Sequence, residues 1–228
     1  MKIVTIGASQ GLGLSLTRKL LEQGHCVAAG ILSITSELKK LQESYPRTLL
    51  VFSADVTNEI LLQSGAQICK EAFGEFDAIC NIAGVLLPSD RTRSLHECNT
   101  EELRKTFEVN TIGAVLAIKC FYPLLKTGAR FFTVTSEGTD IGNCGAWVPC
   151  YSLSKTAETK ISGIMNQSVS NADFYSVHPG RMNTEMGRTT AQIEPEESAD
   201  GFCRLISGET PLCRKSWYID YQGNSMFC

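Results

Sequence analysis

Tyr151 and Lys155, the ends of the stretch YSLSK, stand four residues apart. In a helix that spacing puts a phenol and an ammonium on one face. A free phenol has a pKa of about 10, too high for an efficient base near neutrality, and a neighbouring cation favours its ionised form. The pair is therefore suited to giving or taking a proton. Taken singly, the chemistry-bearing residues have plain alternatives. A Tyr-x3-Lys in a chain with 6 Tyr also arises as a surface pair. Asn110 reads equally as a helix amide bonded to backbone, and Ser136 as a turn hydroxyl. What decides is whether the chain builds elements that bring these groups together.

Short apolar or β-branched runs alternate with segments of helical period, the pattern of parallel strands joined by crossover helices. The runs predict strands at 2–6, 25–31, 48–54, 76–82, 129–135, 173–178 and 216–220. Between them, helices are predicted at 12–23, 36–44, 58–73, 100–125, 151–168 and 195–206. Thr35 and Ser36, and Asn99 and Thr100 followed by two glutamates, are placed to cap the second and fourth of these. No linker, repeat or low-complexity tract interrupts the series, so residues 1–228 read as one domain: an α/β, doubly wound sheet of about seven parallel strands with helices on both faces. Such sheets bind ligands beyond the carboxyl ends of their strands.

The first strand runs into Gly7-Ala8-Ser9-Gln10-Gly11-Leu12-Gly13 and then directly into a helix. Glycines there allow a tight turn, close approach of backbone to a pyrophosphate, and tight helix-on-strand packing, while free N–H groups face the phosphates. An acid that would hold an NAD ribose is expected about 20 residues further on. The chain has Gly30-Ile31-Leu32-Ser33-Ile34-Thr35-Ser36 instead, and its first carboxylate is Glu37. The missing charge favours NADP(H) over NAD(H), with Ser33, Thr35, Ser36 and Lys39 or Lys40 as the candidates to hold a 2'-phosphate.

The remaining strand ends carry Asp55-Val56, then Asn81-Ile82-Ala83-Gly84, Asn110 within VNTIGA, Ser136 ahead of Tyr151 and Lys155, and Pro179-Gly180 followed by Thr184. In this order, across nearly the whole chain, the set resembles the short-chain dehydrogenase/reductase family, with its Rossmann-type fold. The compact length and the ending YIDYQGN resemble the small C-signal-related members.

The resemblance implies a role for each match. Gly7, Gly11 and Gly13, with Ser9, Gln10 and Leu12 between them, would wrap the pyrophosphate. Asp55 and Val56 would flank the adenine, and Asn81, Ala83 and Gly84 would support the strand beside the cofactor. Asn110, Ser136, Tyr151 and Lys155 would form the catalytic set, and Pro179, Gly180 and Thr184 would close over the nicotinamide end. Hydride transfer to a carbonyl leaves an alkoxide, so a proton must arrive as that charge develops. Tyr151 would supply it, Lys155 would favour phenolate and reach the ribose, Ser136 would donate to the substrate oxygen, and Asn110 would hold a water linking Lys155 to solvent. The expected activity interconverts a ketone or aldehyde with its alcohol. A cofactor-binding signalling protein on the same scaffold is the alternative, and the complete proton-handling set weighs against it. In one respect the chain departs from the family pattern: Ser136 stands fifteen positions before Tyr151, a couple more than usual. A longer glycine-bearing loop accounts for this, with Thr139 as the other candidate hydroxyl.

The substrate pocket is expected at Leu86, Leu87, Cys144, Trp147, Val148 and the stretch from Arg181 to Arg188, with Arg181 and Arg188 either gripping an acidic substrate or simply solvated. A net charge of -3, with 21 basic and 24 acidic residues and no basic stripe, makes nucleic acid an unexpected partner. The 10 Cys lack a CxxC pair, and the N-terminal apolar run is short; both point to reduced thiols, a cytoplasmic location and no membrane partner. Three scattered His offer no metal-ligand spacing, so no metal is expected. Apolar residues beyond one sheet-facing stripe, among them Ile112, Val115, Leu116, Ile118, Phe121, Ile161, Ile164 and Met165, predict a homodimer or homotetramer.

Overall fold

A computed structural model describes residues 1–142, 144–187 and 191–227. Seven strands form one sheet, β1 (Lys2–Ile6), β2 (Cys26–Ile31), β3 (Leu49–Ser53), β4 (Phe76–Asn81), β5 (Leu125–Val134), β6 (Ala172–His178) and β7 (Tyr218–Asp220), in the order β3-β2-β1-β4-β5-β6-β7. Every neighbouring pair is parallel. Strand order reverses between β1 and β4, and that switch point is where a doubly wound sheet opens a crevice at its carboxyl edge. Seven helices connect the strands: α1 (Gly11–Glu22), α2 (Ser36–Ser44), α3 (Glu59–Phe73), α4 (Thr100–Phe107), α5 (Gly113–Phe121), α6 (Pro149–Ser168) and α7 (Pro195–Ser207).

Two apolar layers bury the sheet's faces. Leu16 and Leu20 of α1, Leu38 of α2 and Phe202 of α7 pack on one side, and Leu62 of α3 with Ala117, Ile118 and Phe121 of α5 on the other. Both faces are covered, which is why the strands read as continuous apolar runs rather than alternating ones. The expected caps are present at Thr35, whose hydroxyl accepts from Leu38 N, and at Asn99, whose carbonyl accepts from Glu101 N.

The predicted helix over 100–125 is divided. A π turn at Glu108–Ile112 joins α4 to α5, and a 3-10 turn at Tyr122–Leu124, set by Pro123, leads into a strand that begins at Leu125 because Leu125 pairs with Phe76. By length and composition, Thr100–Leu124 is apolar enough to cross a membrane. Much of that character is explained by α5, whose Ala117, Ile118 and Phe121 belong to the core. Helix α6 starts earlier than predicted, at Pro149, straight after Val148 in the left-handed conformation (φ 47°).

Candidate active site

The crevice above the switch point is a cavity of about 1370 Å³. Gly7, Ser9 to Leu12, Ser33, Thr35, Asp55 and Val56 line one end; Ser136, Tyr151, Lys155 and Thr184 line the other, with Ala83 and Gly84 between them. Pro179 and Gly180 also line it. Most residues singled out by sequence therefore share one crevice. Gly13, Asn81 and Asn110 stand behind its wall.

Gly7 is left-handed (φ 91°), and a Cβ there would lie 2.7 Å from Ala83 N, so the turn requires glycine. At Gly13 a Cβ would lie 2.1 Å from Gly7 O, which makes Gly13 the packing contact between α1 and its strand. The N-cap residue of α1, Gln10, makes no side-chain cap. Gly11 and Leu12 of that first turn line the crevice, and its N–H groups, which a helix cannot satisfy itself, suit a pyrophosphate. Ser9 and Thr35 tie this loop to the one after β2, since Ser9 Oγ donates to Ser33 O (3.0 Å) and Thr35 Oγ1 to Ser9 O (3.0 Å). Asp55 Oδ1 accepts from the backbone and hydroxyl of Thr57, and those bonds hold its carboxyl below the usual range.

At the other end, α6 carries Tyr151 and Lys155, and Asp90 fixes its first turn. Asp90 Oδ1 accepts from Cys150 N (3.0 Å) and Oδ2 from Tyr151 N (2.8 Å). Lys155 is buried; its Nζ donates to Val134 O (2.8 Å) at the end of β5 and lies 5.9 Å from the Tyr151 ring centre. Burial pushes the Tyr151 phenol above its ordinary value, opposed first by the Lys155 charge and also by the nearby Ser136 hydroxyl. Burial disfavours the Lys155 ammonium, yet the adjacent Glu158 carboxylate and the Tyr151 oxygen together offset this, and the Lys155 pKa is raised.

Ser136, rather than Thr139, lines the crevice together with Tyr151. Thr139 is buried and spends its hydroxyl on Ser136 O (3.0 Å), so the longer loop leaves the serine in place. Asn110 is fully buried in the π turn. Its Oδ1 accepts from Val85 N (2.7 Å), and its Nδ2 donates to Val85 O and to Ser154 Oγ (both 2.9 Å). Both amide hydrogens are thus spent on clamping the loop after β4 to α6, and only Oδ1 retains capacity for a water beside Lys155. Asn81 Oδ1, also buried, has no hydrogen-bond partner among the described residues.

Leu86, Trp147, Val148 and residues from Arg181 to Gly187 line the substrate end, whereas Leu87 faces a separate small cavity beside Cys98 and Cys150, and Cys144 lines neither. Arg188 lies outside the described residues. Arg181 pairs with Glu137 (2.5 Å), so its charge is already engaged rather than free for substrate. Sequence reading also missed several residues. Arg91 lies 5.8 Å over the Trp147 ring and donates to Met186 O. His178 lines the crevice, as do Ser225, Met226 and Phe227 from the chain's end. No motif marks these; only proximity to the strand ends does. Among the described residues no cluster of His, Cys, Asp and Glu is arranged to hold a metal.

A model of the family described as short chain dehydrogenase matches residues 1–195. The 1-hydroxy-2-glutathionyl-2-methyl-3-butene dehydrogenase of Rhodococcus sp. (strain AD45) is 28% identical over 217 residues, which are 92% of this chain and 92% of that protein. The C-signal protein of Myxococcus xanthus is 29% identical over 67% of this chain and 93% of its own length. Among solved structures, a carbonyl reductase from Pseudomonas aeruginosa PAO1 in complex with NADP superposes with a TM-score of 0.83 at 22% identity, covering 100% of this chain and 99% of that one.

Proposed function

We propose, since this chain belongs to the short-chain dehydrogenase family, that its crevice binds a nicotinamide dinucleotide and that Tyr151 exchanges a proton with the oxygen of a carbonyl or alcohol substrate. The chain is an NAD(P)-dependent oxidoreductase of carbonyl and alcohol groups. One observation carries the assignment of residues: Ser136, Tyr151 and Lys155, from a strand end and one helix face, converge at the end of the crevice away from the glycine turn.

The bound dinucleotide supplies or accepts a hydride. Everything else falls to the chain. The uncapped first turn of α1 would hold the pyrophosphate, and Asp55 and Val56 the adenine end. Lys155 would reach the ribose beside Gly84, where a Cβ would lie 3.2 Å from its Nζ. Ser136 and Tyr151 would hold the substrate oxygen, the serine orienting it and the phenol passing the proton. Asn110 would keep the loop after β4 and α6 at a fixed separation, and Oδ1 remains the one place for a relayed water.

NADP(H) is the favoured cofactor. Leu32, Ser33 and Thr35 line the cavity after β2 with no carboxylate among them to repel a 2'-phosphate, and the Pseudomonas relative in the same fold holds NADP. The likeness to C-signal supports kinship with small members of the family, but the complete set at Tyr151, Lys155 and Ser136 favours catalysis over a purely signalling role.

We further read residues 1–228 as a single domain, in keeping with the one sheet. A homodimer through α5 and α6 is supported by exposed Ile112, Val115, Leu153 and Ile164. Ile118 and Phe121 do not take part, because both are buried in the core. A cytoplasmic location is supported by thiols unpaired at all nine described cysteines. The functional reading is tested by screening aldehydes and ketones for consumption of NADPH and of NADH. Consumption with NADPH preferred supports it, and a purified dimer that oxidises neither cofactor with any carbonyl compound contradicts it.

A further inference from the structure

Glu158 lies one turn beyond Lys155 on α6, with 0% of its side chain exposed, and its Oε2 is 2.6 Å from Lys155 Nζ. Neither carboxylate oxygen has any other polar partner among the described residues. A bare carboxylate in the interior is costly, and apolar side chains fill such helix faces by default. Its single contact is with the ammonium on which proton exchange depends. The same ammonium is held from the other side by Val134 O.

We propose that Glu158 is a positioning residue: its carboxylate anchors the Lys155 ammonium against the end of β5 and offsets that charge at Tyr151, setting the phenol as proton donor for carbonyl reduction. The proposal rests on the reading of Tyr151 given above. The groups that face Tyr151 are Lys155 and Glu158 from its own helix, Arg91 from the 3-10 turn Pro88–Arg91, and Ser136 from the end of β5. Asp90, on the same turn, takes the Tyr151 backbone N–H. Lys155, Ser136 and Arg91 favour phenolate, while Glu158 and burial favour phenol. Among the described residues, the charged group that faces Glu158 is Lys155, with Tyr151 beyond it. Burial pushes its acid up to about 7, so the charge that offsets Lys155 is in place above neutrality and fades below it.

An unopposed lysine beside the phenol would lower the phenol's pKa most, suiting the site to alcohol oxidation by phenolate. A carboxylate on that lysine moves the balance toward a protonated donor. The test is an ultraviolet difference titration of the protein without cofactor by rapid pH jump, subtracting the Tyr151→Phe signal so that only Tyr151 is read. In Glu158→Gln the Tyr151 midpoint should fall by about one pH unit, a tenfold rise in phenolate at a given pH, and the alkaline limb of carbonyl reduction should fall with it. Glu158→Asp should move both back toward the wild-type values. Glu158→Leu, a same-sized apolar filler, gives the same readout should the glutamine variant fail to fold. A midpoint that stays or rises in a chain that does reduce carbonyls overturns the role of Glu158 alone. A wild-type chain that reduces none overturns the functional reading instead.

Discussion

Asp90 holds Tyr151 from outside its own helix: one carboxylate oxygen accepts the Tyr151 backbone N–H at 2.8 Å while the other accepts that of Cys150 at 3.0 Å. No residue on α6's own approach does this, because Val148 at the N-cap position is left-handed and has no side-chain acceptor. The start of the catalytic helix is therefore set by the loop after β4, the same loop that Asn110 clamps through Val85.

Removing that cap should loosen the helix where the chemistry sits. Asp90→Ala is expected to cost about 1–2 kcal/mol, lowering the Tm by roughly 2–8 °C for a chain of this length. Because Tyr151 lies in the affected turn, kcat should fall more than cofactor affinity. Thermal unfolding and steady-state kinetics on one preparation check both.

Ser136 and Thr139 should separate cleanly. Ser136→Ala removes the hydroxyl that lines the crevice beside Tyr151 and should lower kcat/KM by about 10²-fold with little change in stability. Thr139→Ala removes a buried bond to Ser136 O and should lower the Tm, with a smaller effect on turnover. A larger kinetic loss in Thr139→Ala than in Ser136→Ala would mean the loop presents the threonine instead.

His178 gives the crevice a pH-dependent wall. Its Nδ1 accepts from Glu137 N (3.1 Å), which fixes the Nε2–H tautomer, and burial holds its pKa below the ordinary 6.5. The unfolded chain then binds the proton more readily than the folded one, so His178's contribution is present above about 6.5 and is lost as pH falls through the lower folded value. Melting curves from pH 8 to 5 should show the wild type losing more stability over that interval than His178→Asn.

Much of this was legible in the sequence because the doubly wound fold writes its chemistry at fixed places. Parallel strands buried on both faces give continuous apolar runs, and most of the candidate residues just after them, among them Gly7, Asp55, Ser136 and Thr184, line one crevice. What was not legible depends on the third dimension. Asp90 caps a helix sixty residues away, and no local pattern announces a remote cap. The π turn around Asn110 looks like uninterrupted helix, since its apolar period continues across it. Glu158 shares a helical face with Tyr151 and Lys155, so spacing alone could have raised it, but only burial distinguishes it from a solvated acid. Ile118 and Phe121 read as surplus apolar surface because the sequence does not show how deeply α5 sinks into the sheet.

The central claim is that the Tyr151 hydroxyl passes the proton at the substrate oxygen, and Tyr151→Phe tests it most directly, with cofactor binding measured by calorimetry beside carbonyl reduction. The account predicts NADPH affinity within a few fold of wild type and turnover reduced by about 10²–10⁴-fold. Turnover retained at the wild-type level by a phenylalanine variant that still binds NADPH would contradict it.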